Sequence, residues 1–139
     1  MDSLEPQEGM RRHKLLSKEV IASLPPLYSQ EKNPDPTVMV KFFSPYSGWI
    51  WLAYEGDHVD EDGIPVRESK KPATDYLFFG LVKGMETELG YFSFNEMARA
   101  KITVGSIVVP AVERDLYYKP TPLSKARDCL LYTSDAADE

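Results

Sequence analysis

Residues 75 to 84 read DYLFFGLVKG, and an extended chain through them is apolar on both sides: Tyr76, Phe78 and Val82 on one, Leu77, Phe79 and Leu81 on the other. Residues 49 to 55, WIWLAYE, repeat the pattern, with Trp49 and Trp51 on one face and Ile50, Leu52 and Tyr54 on the opposite one. A sheet made from such strands must be covered on both sides or keep one side for a partner.

The flanking segments supply few elements to cover it. Ser17 caps a short helix that carries Val20, Ile21 and Leu24 on one face, and Pro25 with Pro26 ends it. TVMVKFF (37 to 43) turns through SPYSG into WIWLAYE as an antiparallel hairpin, and DYLFFGLVKG pairs with ELGYFS (88 to 93) as a second one. Gly80 and Gly90, inside strands, mark a bulge or the close approach of another element. Ser93 and Glu96 form a capping box that opens a helix over about 94 to 100. ITVGSIVVPAV fits a strand broken at Gly105, and ERDLYYKP leads into extended chain. The pattern predicts one α+β domain with an antiparallel sheet of four to five strands and two short helices. If both helices lie on one face, the other needs the long polar loop, DLYYKP, or something outside the chain.

The ends contribute less. Residues 1 to 12 mix Pro, Gly and charge without an apolar period and read as a disordered leader, so that the globular domain runs from 13 to 128. The last eleven residues, CLLYTSDAADE, have no cap, apolar period or turn. Written as codons they resemble a sequencing adapter read through in frame, which places 129 to 139 outside the fold and without structure. Removing their three acids leaves 19 against 16 Lys and Arg, so the net charge moves from −6 to −3. The single cysteine, Cys129, lies in that run, and one cysteine cannot form an intrachain disulfide. A weakly acidic chain has no strong field for nucleic acid or anionic lipid, and SIVVPAV is too short to span a membrane. The cytoplasm is the expected location.

The blocks VKFFSPYSGWIWLAYE, DYLFFGLVKGMETELGYFS and ERDLYYKPTPLS follow a LLSKEVIASLPPLY helix in that order. Together they resemble the bacterial domain of unknown function family 2958, over roughly residues 13 to 125. The resemblance implies a single domain encoded on plasmids and integrative elements, and no catalytic residue, because none is established for that family.

Few residues invite chemistry. The loop EGDHVDEDG fails as a calcium site, because His58 and Ser69 stand where the first ligand and the bidentate glutamate belong. It therefore reads as a solvated loop. His13 and His58 have no spaced partner for a metal or a nucleophile, and no catalytic or phosphate-binding motif occurs, so no metal and no cofactor is expected. LGYFSF lacks the basic and small residues of an RNA-reading strand, since Leu89 and Phe92 hold those places. Trp49, Trp51 and Tyr46 are the aromatics that suit an interface. Glu113, Arg114, Asp115 and Tyr117 bring together groups that could orient an anion or a hydroxyl, or anchor a segment through Arg114. The expected function is a non-enzymatic binding module with a protein partner on the aromatic sheet face, at Trp49 and Trp51 with the 113 to 117 group at the sheet edge. The alternative is a hydrolase-like enzyme using the acids around Glu113 and Asp115.

Overall fold

A computed structural model describes residues 14 to 138; the expected leader, 1 to 12, lies outside the described residues. Helix α1 spans Lys18–Ser23, with the Ser17 hydroxyl accepting from the amide of Val20 at 3.2 Å. The strands that follow are β1 (Thr37–Val38), β2 (Val40–Phe43), β3 (Ile50–Val59), β4 (Asp75–Lys83) and β5 (Thr87–Ser93). Helix α2 (Phe94–Arg99) starts at Ser93, whose hydroxyl accepts from the Glu96 amide at 3.2 Å. Then come β6 (Lys101–Val104), β7 (Ile107–Pro110), β8 (Glu113–Arg114), β9 (Thr121–Pro122) and α3 (Leu123–Asp138). The main sheet has five strands in the order β5-β4-β3-β2-β8, and its pairings are antiparallel. The chain is thus a single-domain α+β fold. β1 pairs with β9, and β6 with β7 around Gly105, at the break the sequence suggests.

Each face of the sheet carries a packed layer over part of its area. On one, Phe42, Ala53, Tyr76, Phe78 and Phe92 meet Leu15, Leu16, Val20 and Leu24 from the α1 segment and Met97 and Ala98 from α2. On the other, Val38, Leu52 and Leu81 meet Ala126 and Leu130 of α3, with Ile50, Tyr118 and Leu123 packed alongside. The described residues thus hold three α-helices, where two were expected. Sequence patterning misses α3 because LSKARD has a weak apolar period of its own. Asp35, distant in sequence, starts that helix by accepting from the Ser124 amide at 2.8 Å and its hydroxyl at 2.7 Å. Once nucleated, a helix elongates at little cost. The α3 backbone runs through Asp138, and Leu130 is buried.

The polar stretch after Glu55, expected to be a solvated loop, begins as strand. β3 continues through Gly56 to Val59 and pairs with the start of β4, so these residues belong to the sheet. A bulge between Ala53 and Glu55 shifts the register there. It lies opposite Gly80, where a Cβ would stand 1.8 Å from the Leu52 carbonyl oxygen. Only glycine fits that approach.

Glu61 and Asp62 stay exposed and pair with Lys71, whereas Glu55, Asp57 and Asp60, with Asp75 of β4, act as staples. Glu55 is 3% exposed, and its two oxygens accept from the amides of Tyr28 at 2.9 Å and Gln30 at 2.7 Å. Asp57 accepts from the Leu27 amide at 2.9 Å and from Arg67. Asp60, 4% exposed, accepts from the amides of Asp62 and Ile64 and from the Ser69 hydroxyl. Asp75 binds the Ser93 hydroxyl and the Asn95 amide, tying β4 to the start of α2. Alternation counts polar side chains as solvated; here they are satisfied internally.

These bonds make a pH prediction. The Ser69 hydroxyl, assisted by the two amides, holds the Asp60 carboxyl below its ordinary value. A depressed folded pKa gives stability that is complete above the unfolded value, about 4, and lost as pH falls through the folded one. The urea midpoint of the wild type should therefore fall on acidification below about pH 4, and that of Asp60→Asn should fall less steeply. Parallel curves for the two proteins would contradict the staple.

Candidate functional site

The turn Ser44–Gly48 sets the direction of the first tryptophan. The Ser44 amide donates to the Trp49 carbonyl at 2.9 Å, closing the hairpin, and the Ser47 hydroxyl accepts from the Trp49 amide at 3.4 Å. Trp49 then lies over Gly84 at the end of the β4 segment, where a Cβ would stand 2.4 Å from the indole. Trp51, opposite Val82, is half-buried and packs on the core that α1 and α2 complete. The two indole centroids are 5.9 Å apart with planes inclined at 34°. Trp49 keeps 38% of its surface exposed.

Two clefts meet at Trp49, and Trp51 lines one of them. One, about 440 Å³, runs from Ser44 and Trp51 past Val82 and Phe92 to Glu96 and Met97 of α2. The other, about 520 Å³, lies between Trp49, Val82, Gly84 and the β4–β5 turn, bordered by Glu86 and Glu88. Trp49, Val82 and Tyr91 line both, which makes them one open groove along β4 and β5.

Tyr91, 52% exposed, stands at the rim of a second aromatic set formed with Phe79 at 4.7 Å, Tyr54 behind Phe79, and Tyr28. Burial, and then the neighbouring Tyr28, push the Tyr91 hydroxyl above its ordinary pKa, so it stays protonated at neutral pH. Sequence reading missed Tyr91 because in ELGYFS it looks like one more strand aromatic. In the sequence, Glu96 shows only a place in the cap. Tyr46, 47% exposed, sits on the neighbouring turn.

The group at 113 to 117 lies elsewhere. β8 is the opposite edge of the sheet, with Arg114 paired to Phe42 and Glu113 to Phe43. The Arg114 Nε donates to the Lys14 carbonyl at 3.1 Å, which pins the segment before α1. Asp115 turns the other way, toward Lys41 at 3.9 Å, and also accepts from the Tyr117 amide at 2.9 Å. Tyr117 itself is 92% exposed. None of the four lines either cleft beside Trp49. Strand order puts this group on the β8 edge of the sheet, away from the clefts beside Trp49.

Among the described residues no group of three His, Cys, Asp or Glu side chains is placed to hold a metal ion, and no helix is long and apolar enough to cross a membrane. Comparison with protein-family models, with curated proteins and with solved structures finds no match.

Arg114 holds structure in this arrangement, so Arg114→Ala should lower stability by about 1 to 3 kcal/mol, the usual loss when a charge-assisted hydrogen bond leaves its acceptor unmet. Chemical denaturation measures it. An unchanged midpoint would remove the anchor role.

Proposed function

We propose that this chain is a non-enzymatic binding module that takes a protein partner on the groove walled by Trp49 and Trp51. The observation that carries the reading is the partly exposed indole pair, held by a hairpin turn and seated on Gly84, in an apolar cleft that no segment of the described chain fills. Exposed tryptophan is costly in water, and interfaces are enriched in Trp and Tyr. The acids of the hydrolase alternative, Glu113 and Asp115, line neither cleft of that groove, and Asp115 is engaged with Lys41. On the sequence resemblance, the setting we propose is a mobile genetic element of a bacterium, with the protein in the cytoplasm.

The two tryptophans should separate in experiment. Trp49→Ala removes a partly exposed side chain, so its Tm should stay close to wild type while affinity capture from a bacterial lysate loses any stoichiometric partner. Trp51→Ala removes packing from the core and should cost about 2 kcal/mol or more. Capture of the same proteins in the same amounts by wild type and Trp49→Ala would overturn the reading.

A further inference from the structure

Resting on the binding-module reading, we propose that the Trp49–Trp51 groove receives a basic, extended polypeptide segment, whose Lys or Arg side chains lie over the indoles and between carboxylates. The charge of the groove is one-sided. Among the described residues, the charged ones that line its two clefts are Glu86, Glu88 and Glu96, and no Lys or Arg does. All three are exposed, and none of their carboxylates makes an ion pair or hydrogen bond among the described residues. They differ in this from Glu55, Asp57, Asp60 and Asp75, which are taken up by internal donors.

Aromatic faces and carboxylates select the same ligand. Indole carries the most favourable ring face for a cation, and the stem of Lys or Arg packs on apolar surface while its head meets the charge. A chain with 22 acids against 16 basic residues adds a long-range attraction of the same sign.

The groove also has the form of a strand site. β5 is an edge of the sheet, seven residues long, without proline, and the groove runs beside it. An unprotected edge of this kind can accept an added strand, and alternate side chains of that strand then point to one face. Gly90 leaves its floor open, with nothing within 4 Å of where a Cβ would be.

The test uses intrinsic fluorescence, because Trp49 and Trp51 are the only two tryptophans. The probes are short capped peptides in which threonine alternates with lysine, glutamine or glutamate. The lysine peptide should give a saturable change in emission and bind at least about tenfold tighter than the glutamine one, as combined cation–π and carboxylate contacts predict. High salt should close that gap. Glu88→Lys with Glu96→Lys should reverse the order to favour the glutamate peptide. Gly90→Val should keep the wild-type Tm and lose binding by filling the floor. Equal affinity for the lysine and glutamine peptides would overturn the cationic preference and leave the groove a binding face. No response to any of the three would overturn both.

Discussion

Glu55 stands just after the bulge in β3, almost wholly buried, with one oxygen on the amide of Tyr28 and the other on that of Gln30. Two backbone donors take the place of a counter-ion, which is how a carboxylate can be kept inside without large cost. Tyr28 is held at φ 73°, a region that costs a bulky residue on the order of 1 kcal/mol or more. The Glu55 bond fixes that turn. Asp57 adds the Leu27 amide, and the Gly56 amide reaches the Pro25 carbonyl. The chain leaving α1 is therefore stitched to the middle of the sheet, which places Leu24 and its neighbours over Phe42 and Phe78. Tyr28 is delivered by the same turn to the side of Tyr91.

The polar network and the aromatic groove divide the molecule between them. Carboxylates at the far end of β3 and the start of β4 are consumed in holding loops and helix starts, and Asp35 does the same for α3. At the near end, by the two hairpin turns, Glu86 and Glu88 have no partner among the described residues and lie beside indoles that are only partly covered. Satisfied polar groups rigidify a fold, whereas unpaired charge beside apolar surface is what a partner can complete. The rigid end thus supplies the frame on which the groove is held open.

Much of the architecture was legible in the sequence. The two hairpins, the caps at Ser17 and Ser93, the break at Gly105 and the two apolar faces all rest on local chemistry: periodicity, hydroxyl caps and glycine. What escaped depends on contacts distant in sequence. Nothing in EGDHVDEDG announces that Glu55 will meet Tyr28, or that Asp60 will meet Ser69. Nor does LSKARD show that Asp35 will start a helix there. The candidate site was half legible for the same reason. Trp49 and Trp51 stand out by residue type, but their separation from Glu113, Arg114 and Asp115 follows from strand order, which a linear reading does not contain.

A nuclear magnetic resonance titration of labelled protein with the alternating lysine–threonine peptide locates the ligand directly. Amide shifts confined to residues 44 to 51 and 82 to 100 are the predicted result. Shifts centred on 113 to 117, with the tryptophan indole signals unmoved, would contradict it.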